Sequence, residues 1–460
     1  MRPYRTFAAL AAAALLATGC SGRDGTTGRE EGASAATASP VGGDFGTLQG
    51  VCRPGTAEGA PAQGVGDDGI KVGVLSDVGF TKNPEFLDAA MVFTSWCNDA
   101  GGVDGRKLVA DIHDTRMVEV RQRMIEACRD DFALVGGSAA LDGTGTKERL
   151  SCLLPEFPAQ TVLQENDGAD LQVYPHHGGP SYNRFAGYDN WLLKEAYPGS
   201  AGSLGLIIGD SPSTKVNGAK AEEGLKAAGG TVVYSDAYPA QGVSDWTPYA
   251  QAIKNKGVKG LVYLGSFAQL AKLEQSLTTI GYKPDWIDAN SNAYTPDFIQ
   301  LAGGQVLDAQ NNLADLSGIY PVEAAADNPA TRQLLDLYAK YAPGAKVTLP
   351  AVRAFSSWLL FAKAAAACGN DLTRKCAYDA ARKESAWTGG GLQAPKDLSR
   401  SDLPATCFNV EKATPEGWRP ADFKPDRGAF RCDAPAWKLT GSYARPLTLA
   451  DVGKSPADFR

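Results

Sequence analysis

From Asp67 onward, apolar and polar positions alternate between two periods. Residues 70–75 (IKVGVL) form a short apolar run of buried-strand type. Residues 84–99 read as a helix, with Phe86, Ala90, Phe93 and Cys97 along one face and Gly101-Gly102 at its end. Residues 107–113 alternate as a second strand, 119–130 form the next helix, and 132–135 a third strand broken by Gly136-Gly137. A helix over 144–154 then leads to a strand near 159–163. The sequence predicts a second series with strands at 204–208, 231–234, 260–264 and 285–288 and helices at 213–227, 246–256 and 267–280. Both series run strand, helix, Ala-Gly-Gly, strand, through Ala100-Gly101-Gly102 and Ala228-Gly229-Gly230. This repetition predicts an α/β fold of two doubly wound, Rossmann-like lobes. Residues 350–368 are strongly apolar but interrupted by Arg353 and Lys363, so a buried helix from Pro350 to a stop at Gly369 fits better than a membrane span.

Composition narrows the function. Of 460 residues, 43% are hydrophobic and 21% charged, which excludes disorder or a polytopic membrane protein for the whole chain. The net charge of −7, with no basic cluster, argues against a nucleic-acid partner. Three histidines, His113, His176 and His177, leave little room for a metal site or Ser–His–Asp chemistry. The adjacent His176-His177 point apart in extended chain, so a loop at a lobe crossing is the simpler reading.

The N-terminus reads as an address. Arg2 and Arg5 precede an apolar run over residues 7–17, too short for the roughly 20 residues a bilayer needs. The run ends in Ala17-Thr18-Gly19-Cys20, which resembles the lipobox of bacterial lipoproteins, although Leu is commoner where Ala17 stands. That resemblance implies a signal peptide over 1–19 and a lipid on Cys20. Residues 21–50 carry eight Gly and only Val41, Phe45 and Leu48 as large apolar side chains, so a flexible tether is expected, extending over 20–66.

Eight further cysteines form an even set in an exported chain, which suggests disulfides among 105 connectivities. No C-x-x-C pair occurs. Cys368 and Cys376 flank a short polar turn, and Cys407 and Cys432 then pair in the C-terminal region. In a parallel sheet of order 2-1-3-4-5, right-handed crossovers set helices two and three side by side, which favours Cys128–Cys152 and leaves Cys52–Cys97. A swap among those last four stays open.

Catalytic patterns fail on context. Gly209-Asp210-Ser211 resembles the start of a GDSL esterase, but no His lies beyond His177 for the required late pair. No G-x-S-x-G elbow occurs. The G-x-G-x-x-G at Gly64, Gly66 and Gly69 precedes a strand instead of following one. The chain is therefore read as a binder, with no enzyme activity, cofactor or metal expected.

The segments IKVGVLSD, AGGVDGRKLVADIHD, FALVGGSAA and, later, AVRAFSSWLLFAKAA resemble the solute-binding proteins of branched-chain amino acid ABC transporters, of the type I periplasmic-binding-protein fold. The resemblance implies two lobes joined by a three-crossing hinge and a ligand captured between them. The expected boundaries are 67–180 plus 316–372 for lobe one, 181–315 plus 373–445 for lobe two, and a tail over 446–460. Independently, ligands in open α/β sheets sit beyond the carboxyl ends of strands, where helix N-termini offer N–H groups to a carboxylate, although ordinary caps and turns share this composition. By resemblance, Ser138 and the Ala139 N–H bind the ligand's carboxylate, and the loop holding Thr161, Gln164 and Glu165 adds contacts. Phe267 covers the ligand, with Phe80 nearby and Asp210 on lobe two. Asn290 stands where an acid usually receives the ligand's ammonium, so an amide or simple carboxylate is a candidate alongside an amino acid. The expected partners are a small solute, the permease and ATPase of an ABC importer, and the cell membrane through the anchor. The protein is expected to act as an extracytoplasmic monomer. A lipid-anchored sensor of the same fold is the alternative.

Overall fold

The computed structural model describes residues 42–176 and 178–460. The signal segment, Cys20, the start of the tether and His177 lie outside the described residues. In the first lobe the chain runs β1 (Gly69–Ser76), α1 (Glu85–Asp99), β2 (Lys107–Asp114), α2 (Val120–Asp130), β3 (Leu134–Val135), α3 (Thr146–Ser151) and β4 (Glu156–Phe157). These strands form a parallel sheet in the order β2-β1-β3-β4, which leaves α1 on one face and α2 and α3 packed together on the other.

The second lobe runs α4 (Ala186–Trp191), β5 (Leu204–Asp210), α5 (Pro212–Ala227), β6 (Val232–Pro239), α6 (Thr247–Asn255), β7 (Gly260–Leu264), α7 (Phe267–Thr279), β8 (Trp286–Asp288) and β9 (Asn312–Asp315). The chain then returns through α8 (Pro329–Tyr341), α9 (Leu349–Ala366) and α10 (Arg374–Ala381) before β10 (Val410–Thr414) and β11 (Gly417–Pro420). The larger sheet has the order β6-β5-β7-β8-β9-β10-β11, with β10 antiparallel to both of its neighbours, β9 and β11. The chain therefore passes between the lobes after β4, after β9 and before β10. This is the doubly wound, two-lobed α/β architecture the pattern predicts.

α9 forms because Thr348 caps its first turn, accepting from the Ala351 N–H at 3.3 Å, and Pro350 suits that turn. It lies against α1, where Trp358 stacks on Phe93 at 5.6 Å between ring centroids. The disulfides join Cys52 to Cys97, Cys128 to Cys152, Cys368 to Cys376 and Cys407 to Cys432, the pairs that loop length and topology favour.

Several expected boundaries move. The described part of the tether, residues 42–66, is packed onto lobe one and not free. Phe45 is fully buried, 5.0 Å from the Phe355 ring and 6.0 Å from Trp96. Buried Arg106 donates to the carbonyls of Glu58, Gly59 and Gly66 at 2.8–3.0 Å. Few apolar side chains suffice because each meets a preformed aromatic pocket, a disulfide or a buried guanidinium. β4 falls at Glu156–Phe157 instead of 159–163, since Pro158 cannot donate to a ladder. α10 belongs with lobe one, not lobe two, because it packs on α9 and carries the Cys376 end of a disulfide. The tail also docks there, with Leu449 and Phe459 buried against Leu150 and Leu171.

Candidate ligand-binding cleft

The carboxyl ends of the strands of both lobes converge on a cleft, and two cavities open in it. The smaller, about 160 Å³, has Thr161, Gln164 and Asp167 on the first-lobe side and Lys220, Asp288 and Asp315 on the second-lobe side. The larger, about 700 Å³, is lined by Glu85, Asp88, Ser266, Phe267, Asn292 and Lys346 among others.

On the first lobe the loops are fixed by buried acids. Asp77, directly after β1, accepts from the Met117 N–H at 2.9 Å, the Ala140 N–H at 2.6 Å and the Thr115 hydroxyl. The Ser138 N–H donates to the Leu75 carbonyl at 3.0 Å. Gly137 must be glycine, since a Cβ there would stand 2.6 Å from the Leu75 backbone. Ser138 and Ala139 are thereby held buried at the cleft end of β3, and no partner accepts from or donates to the Ser138 hydroxyl among the described residues. Asp142 organises the next loop, accepting from the N–H groups of Leu163 at 2.8 Å and Val162 at 2.9 Å and from the Asn166 amide at 3.1 Å. Burial lifts its carboxyl to about 7 against those donors.

The second lobe brings crowded acids. Asp189, Asp288 and Asp315 all line the smaller cavity. Burial pushes Asp189 up to about 8 and Asp288 and Asp315 to about 7; negative neighbours push Asp189 and Asp288 the same way, whereas Arg353 pulls Asp315 down. Arg184 pairs with Asp167 and, although burial opposes it, holds that carboxyl below its usual range. Lys220, on α5, donates to Gln164 across the cleft, and burial and Arg184 pull it down to about 8.

The residues singled out in the sequence are dispersed. Thr161, Gln164 and Asn290 line the smaller cavity and Phe267 the larger. The Thr161 hydroxyl donates to Asp167 at 2.9 Å, and Asn290 caps the Asn292 N–H at 3.1 Å from a positive φ of 65°. Phe80 is 64% exposed and lines neither cavity. Asp210 is half exposed and pairs with Lys215 at 2.5 Å. Glu165 lies over the turn at Gly143, where a Cβ would meet its carboxylate at 3.1 Å. Sequence reasoning missed Asp167, Arg184, Asp189, Lys220, Asp288 and Asp315. Asp288 was findable as the last residue of a foreseen strand, two positions before Asn290.

One further group has metal-ligand types. Asp111, His113 and Asp131 bring donor atoms within 4.8 Å of one another. Lys71 Nζ, 2.6 Å from Asp111, already supplies the positive charge, and His113 Nε2 lies 2.6 Å from Asp131. The cluster is an ion-pair network on lobe one, away from the cleft.

The family described as "periplasmic binding protein" matches residues 69–410. A fatty acid ABC transporter substrate-binding protein from Thermomonospora curvata is similar in structure, with TM-score 0.65, 19% identity and coverage of 86% of this chain and 98% of the other. A branched-chain amino acid ABC transporter protein from Thermus thermophilus with bound valine gives TM-score 0.62 at 16% identity, covering 77% and 96%. A possible leucine/isoleucine/valine-binding protein from Rhodopirellula baltica gives 0.64 at 13%, covering 78% and 97%. No curated protein sequence matches this chain. At these identities the likeness speaks for the fold alone, and the family match over most of the chain carries the assignment: this chain belongs to the periplasmic binding protein family, in its type I, two-lobed form.

Proposed function

We propose that the chain is the substrate-binding component of an ABC importer, closing its lobes on a small polar solute and presenting it to a membrane permease. The observation that carries this reading is the smaller cavity, whose polar groups come from both lobes at once. Only contacts made to both lobes favour closure, because a ligand shifts an equilibrium by its differential affinity alone. Ser138, the Ala139 N–H, Thr161 and Gln164 are the first-lobe contacts in this reading, and Phe267, Asn290, Asp288 and Asp315 the second-lobe contacts. The last two matter for specificity. An ammonium finds no acid at Asn290, but it has Asp288 and Asp315 beside the same cavity. An amino acid is therefore as well served as an amide. The names of the Thermus and Thermomonospora relatives, a valine-bound protein and a fatty acid binder, support solutes with a carboxylate.

A thermal-shift panel of amino acids, amides and carboxylates tests the reading. A true solute at 100 times its dissociation constant should add about 2.7 kcal/mol of stability. Calorimetry on Ser138→Ala and Phe267→Ala should then show weakened binding. Unchanged affinity in both would remove the cleft assignment. The protein acts from the extracytoplasmic side in this reading, held by a lipid on Cys20. Fatty-acid labelling should mark the wild type and miss Cys20→Ser. Among the described residues no helix is long and apolar enough to cross a membrane.

A further inference from the structure

The helix α9 carries a buried cation that makes no ion pair among the described residues. Arg353 sits in the first turns of α9, 4% exposed, amid the buried residues Ala351, Val352, Ala354 and Phe355. Among the described residues no group accepts from its Nε or Nη2, and it makes no ion pair. The neighbouring cations are provided for: Arg184 by Asp167, Lys220 by Gln164, and Lys396 by the His176 carbonyl at 2.6 Å. The titratable groups that act on Arg353 are Tyr174, Asp315, Arg184 and Glu85. Asp315 lines the smaller cavity and Glu85 the larger, so an acid of each cavity acts on the guanidinium, which itself lines neither.

Burying an unpaired charge is strongly unfavourable, and arginine cannot escape by releasing its proton. An apolar residue would serve an ordinary helix better. A second unpartnered group lies close by in the fold. α9 passes directly under the β3 loop, where a Cβ on Gly136 would stand 2.5 Å from Trp358 Nε1 and 3.2 Å from the Ala354 carbonyl. Two residues along that loop is Ser138, with its buried, unpartnered hydroxyl. On the second-lobe side, Asp315 Oδ2 is also buried without a partner.

We propose that Arg353 is the anchor for a carboxylate on the solute, taken between Nε and Nη2 with the Ser138 hydroxyl beside it. This deepens the proposed function and rests on it: it narrows the solute to organic acids and amino acids and rejects their amides. The two unpartnered nitrogens form one edge of the planar guanidinium, the geometry that matches both oxygens of a carboxylate. The empty protein bears the cost of the isolated charge, and the bound acid removes it.

Calorimetry on the purified chain tests this with leucine and leucinamide, isovalerate and isovaleramide, and octanoate and octanamide. The wild type should bind at least one acid and prefer it about tenfold or more over its amide. Arg353→Met should lose about tenfold or more of that affinity, with Arg353→Lys between the two, since a point charge cannot form both hydrogen bonds. The unliganded Arg353→Met protein should melt no lower than the wild type, because an unpaired buried charge has been removed. Equal affinity for acid and amide overturns the proposal, as does undiminished acid binding by Arg353→Met. A variant that melts lower or fails to fold overturns it too, marking Arg353 as a structural ion. Silence towards every probe overturns the carboxylate assignment, whereas the proposed function is judged by the wider thermal-shift panel. Preference for an amide removes Arg353 and leaves that function standing.

Discussion

The two walls of the cleft use buried acids in opposite ways. On lobe one, Asp77 and Asp142 are enclosed by donors: Asp77 accepts from two backbone N–H groups and one side chain, and Asp142 from three backbone N–H groups and one side chain. On lobe two, Asp315 accepts from the Ser317 N–H at 2.7 Å, and its other oxygen has no partner. Asp189 accepts from the Asn183 amide at 2.8 Å, and Asp288 from the Asn290 N–H at 3.0 Å with a long contact to the Tyr188 hydroxyl. The first wall consumes its carboxylates in shaping loops. The second leaves its carboxylates underused, with Asp189 and Asp288 repelled by acidic neighbours, which is the condition under which a ligand's ammonium or hydroxyl gains most by pairing with them.

The comparison breaks most visibly at Asp77. Asp77→Ala deletes an acceptor that joins the loops after β1, β2 and β3, and strands two partly buried N–H donors and the buried Thr115 hydroxyl. Unfolding in urea should show a loss of roughly 3–5 kcal/mol, since hydrogen bonds to a charged group contribute about 1.5–3 kcal/mol each and are not additive. A loss of only a few tenths would mean that the loops hold themselves and that the first wall is not built on its acid.

The second wall is sharpened by pH. The ordinary carboxyl values lie near 4, and those of Asp189, Asp288 and Asp315 rise to about 7–8. Between those limits the folded chain holds protons that the unfolded chain has released, so these groups make stability fall as pH rises. Lys220 and Lys396, pulled down to about 8 and about 7, act in the opposite sense at higher pH, so the useful window ends near 7. Asp189→Asn cannot ionise. Its thermal midpoint should fall less than that of the wild type between about pH 5 and about pH 7. Parallel curves would show that burial and the neighbouring acids do not raise Asp189 in the folded chain.

How much of this was legible in the sequence follows the same division. The strands and helices that carry the lobes were visible because their apolar periodicity is local: β7 falls at residues 260–264, as the pattern placed it, and α9 within two residues at each end. Local pattern failed where a contact is remote. Phe45 looks like an isolated aromatic in a glycine-rich tether until α1 and α9 supply Trp96 and Phe355. β10 and β11 stayed hidden because a short hairpin pairing to β9 depends on a chain return of almost a hundred residues. Thr161, Gln164 and Asn290 beside the smaller cavity and Phe267 beside the larger lie near strand ends, where the pattern pointed, whereas Ser138 is buried and lines neither. Arg184 and Lys220 were not reachable in that way, since a charged residue in a crossing or on a helix looks like any solvated one. Arg353 was noticed only as an interruption of an apolar run. Its meaning depends on what fails to meet it in three dimensions.

The smallest effect tests whether the walls communicate directly. Lys220 reaches from α5 to Gln164 on lobe one, and its ammonium also stands 5.3 Å over the Tyr443 ring. Because Lys220 is only partly buried and its partner is a neutral amide, this bond contributes less than one to a buried acid, about 1 kcal/mol. Lys220→Met should therefore weaken solute binding by only a few-fold, through a smaller population of the closed arrangement. A double-mutant cycle with Gln164→Ala separates this from lost packing, because a direct bond gives a coupling energy and independent roles give none. The pH profile adds an independent readout. With the ammonium at about 8, the wild type should lose its few-fold advantage over Lys220→Met between about pH 7 and about pH 9, as Lys220 gives up its proton. A coupling near zero together with a flat ratio of affinities would mean that the lobes meet only through the solute, and that the charge asymmetry of the two walls is read by the ligand alone.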